Sequence, residues 1–351
     1  MSAMDDDMWL TSIDKTRQQE LLHRHKDFWH RKKGSHALIG YAPMSRVFPL
    51  QNLHIQHEGP FFAEHITTEI MQADIEYRPP YDREDDLFPG KIPLEPLAWS
   101  EGYIGANVNL SSEAQTVWAK PEKDIPETLE QVKKRLNPAW KDKLAEVTRI
   151  NRDALNGEYL ISEALFRGPA DCLEALLGAE TLCLWMYDQP ILVKEIVDWM
   201  TDCIIRLYQS QFEELGLFHG GTINRYRIWG PGQNIVTQAD IANVMSPEHF
   251  RQFFVPAYSR LARAFDTAAI HFHSSAARHV NALLEINELA AIEWALDPTG
   301  PTLQEMVDVF RKIQQHGKSV IIMNLKTRQE VNMLLNKLQP EGLCLIVRKD
   351  Y

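Results

Sequence analysis

The chain has few cysteines, no surplus of positive charge and no long apolar run. Its four cysteines, Cys172, Cys183, Cys203 and Cys344, form no C-x-x-C pair and sit in apolar stretches. That spacing offers no disulfide framework and reads as buried free thiols in a reducing compartment. The formal net charge of −11 argues against nucleic acid as a main partner, because phosphate contacts need a basic surface. It leaves room for a local basic pocket that takes an anionic small molecule. No uncharged apolar stretch approaches the ~18 residues of a membrane span. The opening MSAMDDDMW is acidic where a secretory signal is basic and then apolar. The expected location is cytoplasmic.

What is present is ordinary globular composition, 44% hydrophobic and 24% charged over 351 residues. That length suits two domains or one α/β barrel. Residues 13–33 read as an amphipathic helix, and HALIGYAP (36–43) as a first strand. After a helix over 60–73, DIEYRPP (74–80) reads as a second strand. The segment 87–120 has no clear period and reads as a long excursion, with room for a small hairpin. Further strands are expected at 159–165, 220–230, 268–273, 289–296, 319–324 and 343–347, with helices between them. Eight strands alternating with helices imply a (β/α)8 TIM barrel, residues 36–351, behind an N-terminal helical extension, residues 1–35. The chain leaves no room for an eighth outer helix, and the N-terminal helix could cover that gap.

In such a barrel the chemistry sits at the carboxyl ends of the strands. The fifth strand, in DTAAIHFHSS, places His271 and His273 on one face with Phe272 on the other. Two imidazoles there can bind a metal, a carboxylate or a proton, or simply hydrogen-bond within a polar core. RYRIW on the fourth strand puts Arg225 and Arg227 on one face, suited to a carboxylate or phosphate, with Tyr226 opposite. Pairing with the abundant acids is the alternative. Tyr41, Arg46, Trp229 and Asp297 also fall at strand ends and are candidate pocket residues. Glu163 and Glu293 lie inside apolar strands. An inward glutamate can serve as acid or base, as a metal ligand, or as a partner for a buried arginine.

Three segments resemble the uroporphyrinogen decarboxylase superfamily, which includes cobalamin-dependent methyltransferases. RGPADCLEALLGAETLCLWMYDQPILVKEIVD (167–198) is similar to its G-P-x-D segment and the helices after it. MSPEHFRQFFVPAYSRL (245–261) is similar to its S-P-e-x-F helix. IHFHSSAARHVNALLEINELAAIEW (270–294) is similar to the segment that begins with a strand-five histidine. The resemblance covers roughly residues 155–347. It implies a barrel with a deep site, methyl transfer or decarboxylation, zinc, and a corrinoid partner protein. The zinc methyltransferases carry H-x-C on strand five and a late cysteine. Here His273 stands at the first cysteine position, and Arg348 and Lys349 occupy the end of the last strand. The metal-free decarboxylase carries an arginine-rich loop after strand one and an aspartate after strand two. Only Arg46 matches the loop, while Asp85 or Asp86 stands near the aspartate position.

The expected activity is therefore metal-assisted, corrinoid-linked methyl transfer on a small substrate, with His271 and His273 as ligands. Glu163 or Glu293 completes the site, and Tyr226 joins these two as a candidate catalytic group. A metal-free decarboxylase and a catalytically silent ligand-binding barrel are the alternatives, and a homodimer is left open. The amidohydrolases, another metal class on this barrel, place H-x-H on strand one. Strand one here is ALIGYAP, which sets that class aside.

Overall fold

The computed structural model describes residues 9–43, 50, 53, 55–95 and 97–349, and Arg46 lies outside them. The main parallel strands, in chain order, are β1 (Leu38–Pro43), β2 (Gly90–Lys91), β3 (Leu160–Ile161), β4 (Asn234–Gln238), β5 (Thr267–His273), β6 (Ala291–Ala295), β7 (Ser319–Leu325) and β8 (Leu343–Lys349). Six of them form one parallel sheet in the order β1-β8-β7-β6-β5-β4, and β2 pairs in parallel with β3. With helices between most successive strands, the architecture is α/β.

Two seams interrupt the ladder among the described residues. At the first, Asp86 N donates to Ile39 O at 3.0 Å and Ile39 N donates to Asp86 Oδ2 at 2.8 Å. At the second, Val236 N donates to Glu163 Oε1 at 3.1 Å. A carboxylate thus stands at each seam where a neighbouring strand's carbonyl would otherwise accept.

The side chains of the six-stranded sheet alternate as the pleat requires. Ala269, Ala291, Ile321, Cys344 and Ile346 join one inner cluster with Phe28, Leu38 and Val236. Ile270, Phe272, Ile292, Trp294, Ile322 and Leu345 face the helices in the larger outer cluster. His271 and His273 follow Ala269 on the inner face, and Glu293 lies level with His271 on β6.

The N-terminal helix, Lys15–His30, is capped by Asp14, whose side chain accepts from Arg17 N at 2.9 Å. It lies across the amino-terminal ends of the strands: Ser319 Oγ donates to Phe28 O, and Arg24 donates to Ala37 O. No helix among the described residues is long and apolar enough to cross a membrane.

Two expected strands lie elsewhere. Residues 74–76 end a helix, Thr68–Glu76, which Thr67 caps by accepting from Ile70 N, and the second parallel strand is β2. The excursion at 87–120 therefore contains that strand. It also carries Asn107–Ser111 and Thr116–Lys120, a hairpin joined by Glu58–Pro60 into a three-stranded antiparallel sheet. Residues 220–230 do not form a parallel strand. Gly221–Ile223 and Trp229–Pro231 pair as an antiparallel hairpin, and the sheet strand β4 follows it.

Candidate metal centre and its cavity

The carboxyl ends of the strands surround a cavity of about 450 Å³, whose lining includes His271, His273, Asp240, Arg225, Tyr226 and Arg167. His271 and His273 project into it from the end of β5, as the strand period requires. Asp240 reaches it from a short 3-10 turn, Asp240–Val244, that begins two residues after β4.

Three ligand atoms converge. His271 Nε2 and His273 Nε2 are 3.4 Å apart. Asp240 Oδ1 lies 3.7 Å from the first and 3.6 Å from the second. Asp240 Oδ1 is buried and has no hydrogen-bond partner among the described residues, while its Oδ2 accepts from Gln238 Nε2 at 3.1 Å.

Behind the imidazoles stand two more carboxylates. His271 Nδ1 contacts Glu293 Oε2, and His273 Nδ1 lies 2.6 Å from Asp297 Oδ1. A carboxylate on Nδ1 holds the proton there and leaves the Nε2 lone pair free, the tautomer a metal ligand needs. Asp297 is itself anchored, accepting from Ser275 N at 3.0 Å and donating its own N–H to Ser274 Oγ at 2.9 Å. Burial works to raise the Asp297 carboxyl, but the hydrogen bonds from Ser275 and His273 outweigh it and hold its pKa below the usual value.

The G-P-x-D segment explains how Asp240 is placed. An added Cβ on Gly168 would stand 2.3 Å from Gln238 O and 2.5 Å from the Tyr258 hydroxyl, so only glycine fits. Pro169 opens the helix Pro169–Leu177 at its first turn. Asp171 Oδ1 then accepts from Ile241 N at 2.9 Å and pins the turn that carries Asp240. Burial, reinforced by the neighbouring Asp240, pushes the Asp171 carboxyl well above its ordinary pKa.

The structure brings together His271, His273, Glu293, Asp297, Tyr226, Arg225 and Arg227. Glu293 meets His271 through Nδ1, on the side away from the three converging atoms, and Asp240 supplies the third of those atoms. Arg225, Tyr226 and Arg227 all line the cavity instead of alternating. They sit in a turn, because Asn224 Oδ1 accepts from both Tyr226 N and Ile228 N and Arg227 adopts a φ of 64°. Arg227 pairs with Asp85 at 2.7 Å and also donates to Tyr41 O.

Glu163, Tyr41 and Trp229 stand outside the lining. Glu163 is fully buried at the β3–β4 seam, where burial pushes its pKa up to about 8 against the pull of Arg225. The Tyr41 ring lies under Lys349 Nζ, 5.0 Å from it. Trp229 is buried toward the N-terminal helix, donating from Nε1 to Phe218 O and from its backbone N to His25 Nδ1. Of the thiols, Cys172, Cys203 and Cys344 are buried and Cys183 is half-buried.

Asp240 was not among the candidates that the sequence suggested. Its signal was its position two residues past NIVTQ, the true fourth parallel strand and the neighbour of β5. Assigning that strand to 220–230 hid it.

No family model matches the chain, and no curated protein matches it. Its structure is similar to that of a methyltransferase from Methanosarcina mazei, with a TM-score of 0.60 over 94% of this chain and 93% of that one. At 13% sequence identity the likeness is one of fold.

Proposed function

We propose that the chain is an enzyme of the uroporphyrinogen decarboxylase superfamily that carries out metal-assisted, corrinoid-linked methyl transfer on a small substrate. In this reading the eight parallel strands make a closed (β/α)8 barrel whose seams are bridged by Asp86 and Glu163. His271 Nε2, His273 Nε2 and Asp240 Oδ1 hold zinc. The observation that carries the reading is their spacing of 3.4, 3.7 and 3.6 Å. Ligands about 2.0–2.1 Å from a tetrahedral ion lie about 3.3–3.4 Å apart. The orphaned Asp240 Oδ1 and the two Nδ1-bound carboxylates support it further.

Three protein ligands leave one position open, where bound zinc supplies a Lewis acid that makes an acceptor thiol, hydroxyl or water easier to deprotonate. The protein's own groups orient and insulate. Glu293 and Asp297 hold the Nδ1 protons, Tyr226 donates to Glu293 Oε2 at 2.7 Å, and Arg167 is held by Glu101 at 3.2 Å on the cavity wall. Glu163, outside the lining, acts here as a neutral strut of the seam. Methyl transfer as the reaction is supported by the fold shared with the Methanosarcina mazei protein and by the three resembling segments. Corrinoid linkage rests on those segments. A cavity of about 450 Å³ suits a small molecule, so a corrinoid belongs at its mouth, carried by a partner protein.

Elemental analysis of the purified protein tests the reading, beside a His271→Ala/His273→Ala double variant and Asp240→Ala. About one zinc per chain is expected, lost in the double variant and weakened by Asp240→Ala. Two histidines and a carboxylate also serve iron(II), and the same measurement tells the two metals apart. A folded protein with no metal at this cluster would sink the mechanism. It would leave the metal-free decarboxylase and the silent barrel to be separated by assay.

A further inference from the structure

We propose that Arg167, on the cavity wall beside the candidate metal cluster, forms an open anion subsite that takes a carboxylate of the small substrate. This deepens the functional reading above and rests on it in taking the same cavity as the substrate site, but it does not depend on the metal.

Arg167 lies between β3 and the helix Pro169–Leu177 and lines the cavity with His271, His273 and Asp240. It directly precedes Gly168, whose N–H donates to Gln238 O at 3.1 Å, two residues before Asp240. One segment thus places the arginine next to the turn that carries the carboxylate ligand. A second element, the helix Trp99–Tyr103, holds the arginine in place. Ser100 Oγ accepts from Arg167 N at 2.9 Å and donates to Glu101 Oε2 at 3.0 Å. Glu101 Oε1 lies 3.2 Å from Arg167 Nε. The Glu101 side chain is 1% exposed, whereas 33% of the Arg167 side chain is exposed. A buried acid therefore fixes the Nε side of the guanidinium and leaves the outer edge open. Among the described residues neither Nη donates a hydrogen bond, and neither is closed off from solvent.

The other lysine and arginines of the wall are engaged or sealed. Arg225 Nη1 has no partner among the described residues but is buried, and Lys91 is 2% exposed against Asp74. Arg227 pairs with Asp85 at 2.7 Å, and Arg348 donates to Asn324 Oδ1 from Nε and Nη2.

The open edge of a guanidinium presents two parallel N–H donors that match the two oxygens of a carboxylate. Charge selects the same ligand. Glu101 first, and Asp240 after it, act on Arg167 to raise its pKa. A monoanion is matched by the arginine, while the second charge of a phosphate dianion meets these two acids. Because Nε is already held, little side-chain freedom is lost on binding. A short substrate on Arg167 is anchored at one end and presented to the cluster at the other.

The test titrates propionate, propionamide, methanesulfonate and inorganic phosphate into zinc-loaded and chelator-treated protein, read by ligand-observed NMR. Wild type is compared with Arg167→Lys, Arg167→Gln and the double variant Arg167→Gln/Glu101→Gln, which leaves no buried acid unpaired. Circular dichroism checks folding. Propionate is expected to bind wild type in both metal states, and more tightly than propionamide or phosphate. Its affinity should fall about tenfold or more in Arg167→Gln and in the double variant, and less in Arg167→Lys. Propionate binding that ignores the loss of Arg167 would overturn the subsite, and zinc held at the cluster of the same protein would leave the metal reading intact. Arg167-dependent binding in a protein that takes up no zinc would do the reverse. No propionate binding in either state, or equal binding of propionamide, overturns the subsite. Tighter binding of phosphate or methanesulfonate overturns the carboxylate assignment. Should the variants fail to fold, crystals of the wild-type protein grown with propionate decide. A carboxylate on Arg167 supports the subsite; one placed elsewhere, or none, overturns it.

Discussion

At the scale of the residue, Glu293 shows how much of the site lies behind its ligands. It is fully buried, accepts from Tyr226 and contacts His271 Nδ1. Its charge makes His271 a stronger donor toward a cation, and its position fixes the ring. Glu293→Gln keeps the shape and an acceptor for Tyr226 but removes the charge. Zinc affinity, measured by competition with a chromophoric chelator, should fall about 10–100-fold while the fold and the ligand set remain. An unchanged affinity would mean that the carboxylate serves packing alone. Asp240 is the complementary case. It has an uncommitted oxygen among the converging atoms, and it lies in a stretch whose sequence carries no metal motif.

At the scale of the element, the G-P-x-D segment acts on the site from a distance. Gly168 N donates to Gln238 O at 3.1 Å, joining the start of the helix Pro169–Leu177 to the end of β4. Gly168→Ala would drive a methyl group into that carbonyl oxygen and the Tyr258 hydroxyl. Overpacking of this kind costs about 1–3 kcal/mol. The shift must fall on the turn held by Asp171, so zinc occupancy should drop together with the melting temperature. Both are measured on one preparation, and a variant with lowered stability but full zinc content would separate the segment from the site.

The same scale shows which parts of the fold were legible. β5 to β8 are strands five to seven residues long made mostly of apolar residues, and the period of β5 placed both histidines on one face. β2 and β3 are two residues each, too short to carry a pattern. RYRIW alternates like a strand, but the Asn224 side chain takes two backbone N–H groups and folds the segment into a turn. Ile75–Glu76–Tyr77 has strand-like residues, but it sits at the end of a helix already started at Thr67. The misreading at 220–230 came from a side-chain contact that the alternating pattern does not contain, and it also concealed Asp240.

At the scale of the whole molecule, His25 ties together parts of the chain that are far apart in sequence. Its Nε2 lies 2.6 Å from Asp86 O, and its Nδ1 accepts from Trp229 N at 2.8 Å. The N-terminal helix, the seam beside β1 and the hairpin before β4 therefore meet on one imidazole. Nδ1 must stay unprotonated to accept, so the fold holds His25 neutral. Burial is the chief cause, and it lowers the pKa to about 4 from an ordinary 6.5.

The unfolded chain takes up this proton as pH falls through about 6.5, whereas the folded chain resists until about 4. This residue's contribution to stability is therefore complete above the unfolded value. It is lost progressively as pH falls from 6.5 to 4 and is constant below that. A shift of this size corresponds to about 3 kcal/mol. Other groups oppose it. Glu163, with its pKa raised to about 8, favours the folded state more as pH falls from 8 toward its ordinary value of 4.5, so the raw pH profile mixes the two. A His25→Gln variant separates them, because the glutamine amide offers N–H donors and a carbonyl acceptor without titrating. Urea unfolding of both proteins at intervals from pH 7.5 to 4.5 gives the difference directly, with Glu163 and the other acids cancelling. Wild type should lose stability relative to the variant below pH 6.5, by about 2–3 kcal/mol at pH 4.5. Parallel curves would mean that His25 takes up its proton over the same pH range in the folded and unfolded chains, and that below that range the junction at the amino-terminal ends of the strands is held without the hydrogen bond from Trp229.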